Sequence, residues 1–113
     1  QESMAVQEYK KMLVASEFDD VLLSRAFTGL QTNTLVPSIV AAGLDPANLP
    51  NDMTKERADA LYGSLGKGEV KRWRDIWSAG HSVSGVKDVL TVAQLVATIR
   101  NEYQSALLST RNF

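Results

Sequence analysis

Residues 19–43, DDVLLSRAFTGLQTNTLVPSIVAAG, contain the signals for a short strand, a loop and a helix. The apolar, partly β-branched run at residues 21–23 is bounded by Asp20 and Ser24, which predicts a short strand. Residues 25–32 contain a glycine and two threonines and are predicted to form a loop. A lone strand leaves its backbone donors and acceptors unsatisfied. The strand therefore needs a partner, and we expect this chain to supply little of one.

The second half of the same stretch carries a helical pattern. Apolar residues recur at helical spacing through residues 35–42, which predicts a helix. Pro37 falls in its first turn, where a missing N–H costs least. Gly43 follows as a C-terminal stop because glycine tolerates a positive φ. Residues 44–52 are rich in turn-forming residues and are predicted to connect this helix to the next one.

Apolar stripes on both sides of this unit predict four further helices. Ser3 and Thr54 are suited to cap two of them, and Thr91 with Gln94 forms a capping box before the strongest one. The predicted helices lie at residues 3–16, from Thr54 to the glycine-rich residues 63–68, from Val70 to Gly80, and from Thr91 to Leu107. The chain is therefore predicted to be mostly α with one or two short strands.

The composition excludes several classes of protein. The 113 residues carry a formal net charge of −1, with 44% hydrophobic and 22% charged residues. This balance predicts neither a nucleic-acid partner nor a membrane surface. The apolar runs are far shorter than the roughly 18 residues of a spanning helix. Cysteine is absent, which excludes disulfides and thiolate sites and is typical of a reducing compartment, so we expect a cytoplasmic protein.

Candidate chemical residues cluster in residues 73–89, WRDIWSAGHSVSGVKDV. His81, the only histidine, could serve in acid–base chemistry or could stabilise the C-terminus of the preceding helix. Gly80 and Ser82 beside it could let a phosphate or a flavin edge approach the backbone, or they could form a C-cap and a turn. The residue pattern alone favours the structural interpretations. Acidic residues and histidine do not occur at metal-ligand spacing, so we predict no metal site.

Trp73 and Trp77 lie one turn apart on the helix predicted in this stretch. Two rings at this spacing could stack on a planar ligand. They are more typical of a small core, where aromatic side chains supply much of the buried area. We therefore predict that both tryptophans belong to the core.

Four stretches of the chain resemble, in order, one enzyme family. Residues 2–13, ESMAVQEYKKML, resemble the helix after the last barrel strand of the nitronate monooxygenases. Residues 19–50, DDVLLSRAFTGLQTNTLVPSIVAAGLDPANLP, resemble the start of that family's smaller second domain. Residues 73–89 resemble the family's return to the barrel, commonly W-S-A-G-Q-x-x-G-x-I-x-D-V. Residues 91–108 look like the closing helix.

The resemblance implies a fold and a division of the chain. Family members are FMN-binding (β/α)8 barrels with a smaller second domain folded over the flavin. Such a barrel needs about 250 residues, so the resemblance implies that this chain is the C-terminal part of a longer protein. It assigns residues 1–18 to the helix following the last barrel strand and residues 19–72 to the second, or lid, domain. Residues 73–113 would form the return to the barrel and the closing helix.

The resemblance also implies a reaction, in which FMN and oxygen oxidise an alkyl nitronate to a carbonyl compound and nitrite. The family's catalytic histidine would lie in the remainder of the same polypeptide, so no catalytic residue is predicted here. Gly80, His81 and Ser82 are predicted to border the flavin pocket. His81 stands where the family often has Gln, and Ser84 stands where Gly is common.

Two alternatives remain open. The related flavin-dependent enoyl-acyl-carrier-protein reductases share the barrel but use a reduced nicotinamide. A non-enzymatic helical module would instead bind a partner through its apolar stripes. Such a module would fold as a stable monomer without flavin, whereas part of a longer enzyme would expose apolar surface and a strand edge.

Overall fold

A computed structural model describes residues 1–111 of the chain. The fold is mostly helical with one two-stranded antiparallel sheet, as the sequence predicts. The elements are α1 (Gln7–Ala15), β1 (Val21–Ser24), β2 (Thr32–Leu35), α2 (Val36–Ala41), α3 (Lys55–Tyr62), α4 (Arg72–Asp75) and α5 (Val92–Thr110), with short 3-10 helices at Phe18–Asp20, Pro46–Asn48 and His81–Gly85. No helix within residues 1–111 is both long enough and apolar enough to cross a membrane.

Strand β1 finds its partner inside this chain, so the expectation of an almost unpartnered strand is wrong. It pairs antiparallel with β2, with Val21 opposite Leu35 and Ser24 opposite Thr32. Threonine hydroxyls reinforce the pair, since Thr34 Oγ1 donates to the Leu22 carbonyl at 3.0 Å. The sequence does not predict β2, because the run Thr-Asn-Thr is polar and shows no alternation of apolar residues.

The loop between the strands depends on Gly29, which has a φ of +79°. A Cβ at this position would overlap the backbone of Thr54 and Lys55, where α3 begins. Glycine therefore serves both the turn and the close approach of the next helix. Residues 25–31 form the connection that the sequence predicts, and only Thr32 passes from the predicted loop into β2.

The helix predicted after the strands is confirmed. Helix α2 has Pro37 in its first turn and ends before Gly43, whose φ is +84°. Its buried side is the centre of the core. Ile39 is fully buried against Phe27 and Ile76, and the ring of Tyr62 lies 5.0 Å from that of Phe27. Residues far apart in the chain therefore meet at one face of α2.

Two N-terminal caps predicted from sequence had different outcomes. Thr54 caps α3 as predicted, since its hydroxyl accepts from Arg57 N at 3.3 Å. Ser3 does not cap α1, because its hydroxyl accepts from Ala5 N before the helix begins at Gln7. Helix α1 is therefore shorter than the predicted residues 3–16.

Helix α4 departs most from the predicted pattern. A helix was expected from Val70 to Gly80, but α4 covers only Arg72–Asp75. The backbone becomes extended at Ile76 because the next residue, Trp77, is hydrogen-bonded to another element. Leu35 N of β2 donates to the Trp77 carbonyl at 2.7 Å. The two tryptophans consequently do not share a helical face. Trp73 is 66% exposed, so its assignment to the core is wrong.

Helix α5 follows its capping box as predicted. Thr91 Oγ1 accepts from Gln94 N at 3.1 Å, and Gln94 Oε1 accepts from Thr91 N at 2.9 Å. Every residue of the helix is exposed, including its apolar stripe, Val92, Leu95, Val96, Ile99, Tyr103 and Leu107. The radius of gyration is 17.8 Å, against about 13 Å for a compact chain of this length. The predicted stripe therefore exists but covers nothing in residues 1–111.

The core assignment predicts a large difference between neighbouring residues of α2. Ile39→Ala should destabilise the fold by about 2–5 kcal/mol, since it opens a cavity at a fully buried site. Val40→Ala removes a side chain that is 57% exposed and should change the free energy of unfolding by less than about 0.5 kcal/mol. Urea unfolding of both variants measures the two values, and equal values would contradict this core.

An ion-pair cluster joins α3 to the start of α4. Arg72 donates through Nη2 to the Asp59 carboxylate and through Nη1 to the Phe27 carbonyl at 3.0 Å. Lys55 Nζ lies 3.2 Å from the same carboxylate. The hydrogen bond from Arg72, and then that from Lys55, lowers the pKa of Asp59 below its ordinary value of 3.8.

This shift predicts how acid affects stability. Because the folded state lowers the pKa of Asp59, its contribution is present above pH 3.8 and is lost as the pH falls through the lower, folded-state pKa. The free energy of unfolding of Asp59→Asn should therefore lie below that of the unmodified chain at neutral pH, and the two should converge below pH 3.8. Urea titrations across this range measure the difference. A gap that widened on acidification would contradict the assignment.

Candidate functional site

An open cleft lies beside the outer edge of β2. Its walls are formed by Thr32 and Asn33 on one side and by Ser78, Ala79 and Gly80 on the other, and its volume is about 390 Å³. One wall of the cleft is the Ser-Ala-Gly part of residues 73–89, where the candidate chemical residues cluster. The cleft therefore brings Gly80, a predicted site residue, opposite Thr32 and Asn33 of β2.

Hydrogen bonds to the backbone fix the position of the cleft wall formed by residues 78–80. The bond from Leu35 N to the Trp77 carbonyl ties the start of this segment to β2, and Tyr9 Oη donates to the Ser78 carbonyl at 2.8 Å. Backbone groups of alternate strand residues point to the same edge. Because the Leu35 N–H points towards Trp77, the backbone N–H and C=O of Asn33 face the cleft.

Gly80 contributes backbone to the cleft wall. It has a φ of −84°, so its conformation does not require glycine. A Cβ added here would meet only Ser82 Oγ, at 3.8 Å. The space beside Gly80 is therefore open, and a flat ligand edge could lie directly against the main chain.

His81 and Ser82 do not line the cleft. His81 begins a 3-10 helix instead of following a helix C-terminus, because α4 ended six residues earlier, so the proposed interaction with a helix dipole is wrong. Its ring packs on Phe18, with centroids 4.6 Å apart at 41°. Ser82 is exposed on the first turn of that 3-10 helix. Of the three predicted residues, only Gly80 lines the cleft.

Thr32 and Asn33 line the cleft but are not among the residues that the sequence predicts for a site. No local signal could have identified them, since their position depends on a backbone contact with residues more than forty positions later. All described residues that line the cleft are uncharged. The cleft therefore offers backbone groups and three polar side chains, those of Thr32, Asn33 and Ser78, to a ligand. Within residues 1–111, no three histidine or acidic side chains could jointly hold a metal ion.

Trp77 directly precedes the cleft-lining residues 78–80 in the chain. Its ring meets that of Tyr9 edge to face, with centroids 5.6 Å apart at 76°, and its Nε1 donates to the Arg74 carbonyl at 2.9 Å. The ring is thus held by packing and by a hydrogen bond, whereas Trp73 is largely exposed.

Comparison of the chain with protein-family models, with curated proteins and with solved structures found no match. The assignment of a function therefore depends on the sequence motifs and on the geometry of the cleft.

The different surroundings of the two tryptophans predict different fluorescence. The 113-residue chain with Trp77→Phe retains only the exposed Trp73, whereas Trp73→Phe retains only the half-buried Trp77. Acrylamide should therefore quench the first variant more strongly, since it reaches exposed rings more often. Stern–Volmer slopes measure the difference. Equal slopes, or a steeper slope for Trp73→Phe, would contradict the geometry of residues 73–77.

Proposed function

We propose that this chain is the C-terminal part of an FMN-dependent oxygenase that oxidises alkyl nitronates to carbonyl compounds and nitrite. The observation that carries the proposal is the position of Ser78, Ala79 and Gly80. These residues belong to the stretch that resembles the nitronate monooxygenase motif W-S-A-G, and they form one wall of an uncharged cleft. The order and spacing of the other resembling stretches support the same family.

The residues at the cleft fit the edge of a flavin. Small side chains let a ring approach the backbone closely, and Gly80 leaves space where a larger side chain would project. FMN would supply the oxidation and reduction chemistry when bound. The role of this chain would be to hold the edge of the ring in place and to limit access of water. His81 and Ser82 would border that site from the 3-10 helix.

The exposed stripe of α5 supports a protein larger than this chain. An apolar stripe of this length on a fully exposed helix is costly in water, and such surfaces mark packing or interaction sites. In the proposed enzyme, the remainder of the same polypeptide covers the stripe and supplies the barrel, the catalytic histidine and most contacts to FMN. Nitronate and oxygen are the substrates, and the location is cytoplasmic.

The test uses the intact protein that carries this chain. The proposed enzyme is yellow, releases FMN on denaturation, and consumes oxygen with formation of nitrite when given an alkyl nitronate. A colourless intact protein without nitrite formation contradicts the proposal. The related enoyl-acyl-carrier-protein reductase is distinguished by oxidation of NADH with an enoyl substrate and by the absence of nitrite.

Two glycine variants test the cleft itself. Gly80→Val should lower affinity for FMN or nitronate turnover by at least about tenfold, because the added side chain projects into the cleft. Gly85→Val is the matched control, since an added Cβ there also meets open space but lies outside the cleft. His81→Ala with Ser82→Ala tests the border residues in the same assays. Equal behaviour of the two glycine variants would remove the cleft from the flavin site.

A second candidate function is a non-enzymatic helical module that binds a partner through its apolar stripes, and the exposed stripe of α5 could serve as that binding surface. It predicts a folded, monomeric 113-residue chain without flavin. Size-exclusion chromatography with light scattering tests this outcome, because the proposed enzyme part should aggregate or associate when separated from the rest of its chain.

A further inference from the structure

A second pocket, separate from the cleft, lies between α1 and the segment that precedes α5. It has a volume of about 200 Å³. Its walls are mainly apolar and include Ala5, Leu13, Val14, Val86, Val89 and Leu90. Neither the proposed oxygenase nor the helical-module alternative assigns it a role.

One wall of this pocket holds a buried cation. Lys10 is only 7% exposed, and lysine is almost never buried to this degree without a partner. Its Nζ donates to the Gln1 carbonyl at 2.9 Å and to the Ser3 carbonyl at 2.8 Å. Because Gln1 and Ser3 also line the pocket, the ammonium end of Lys10 lies at that wall.

The ammonium group still has binding capacity. It carries three N–H donors, and the described residues supply acceptors for two of them. The ion pairs formed within residues 1–111 do not include Lys10, so its positive charge has no carboxylate partner there. A charge held out of water without a counter-ion is costly, and an anionic ligand would offset that cost.

We propose that this pocket binds a small aliphatic monocarboxylate. The carboxylate would accept from Lys10 Nζ in a charge-assisted hydrogen bond, and the alkyl chain would lie among the apolar walls. At about 30 Å³ for each water-sized group, the volume suits a chain of about four to six carbons. Asp88, exposed at the pocket wall, opposes a second negative charge on the ligand and so favours a monocarboxylate.

A pair of ligands tests the proposal on the unmodified protein. Hexanoate and hexanol share the alkyl chain and differ in the charged group. Hexanoate should bind at least about tenfold more tightly, because only the carboxylate pairs with Lys10. Carbon-13 methyl NMR titration measures both affinities and places the ligand through the shifts of Leu13, Val14, Val86 and Val89. Equal affinities, no binding, or shifts confined to other methyl groups would each overturn the proposal.

Charge variants separate the ammonium from the apolar walls. Lys10→Met should reduce hexanoate affinity to that of hexanol, whereas Lys11→Met, an exposed neighbour, should leave it unchanged. Asp88→Asn should tighten hexanoate binding a few-fold at low salt and should not affect hexanol, since it removes a nearby negative charge. Asp88 is exposed, so this variant remains informative even where Lys10→Met fails to fold. Unchanged hexanoate affinity in Lys10→Met, or weaker binding in Asp88→Asn, would contradict the site.

Discussion

The buried hydroxyl of Ser38 holds together the elements on which the rest of the structure depends. It donates to the Leu35 carbonyl at 2.7 Å and accepts from Trp77 N at 3.0 Å, while Leu35 N donates to the Trp77 carbonyl. One small side chain thus joins the end of β2, the first turn of α2 and the segment after α4. Ser38 is 1% exposed, so these hydrogen bonds are shielded from water and loss of either partner would leave a buried polar group unsatisfied.

The same interaction explains both the core and the cleft. It brings Ile76 against Ile39 and Phe27, which completes the apolar cluster. It also directs residues 78–80 along the outer edge of β2 without continuing the pairing, which leaves the cleft open. The site is therefore a consequence of a strand edge that is only partly covered. Such edges can bind further polypeptide or ligands because their backbone N–H and C=O groups are available for hydrogen bonding.

The molecule has a packed part and an uncovered part. Helices α2 and α3 surround a small core, while α5 extends about 28 Å with its apolar stripe exposed. Lys10 is the reverse case, since a charged side chain is buried where an apolar one would be expected. Both features have the same physical explanation. Further protein would cover the apolar stripe of α5, and a carboxylate would neutralise the charge of Lys10.

Local signals in the sequence determined much of this protein. The strand at β1, the proline and glycine that bound α2, the Thr54 cap and the capping box of α5 each depend on residues within a few positions of one another. Such signals also predicted that a ligand could approach the backbone at Gly80, and this residue lines the cleft.

Tertiary contacts decided the rest. Strand β2 forms because β1 is beside it, since threonine favours strands but a polar run without apolar alternation does not predict one by itself. Helix α4 stops at Asp75 because Trp77 bonds to Leu35 and Ser38, although its apolar spacing predicts a longer helix. The cleft and the pocket beside Lys10 likewise require residues that are distant in the chain. A pattern of residues fixes which faces are apolar, but only the packed chain fixes which of those faces meet.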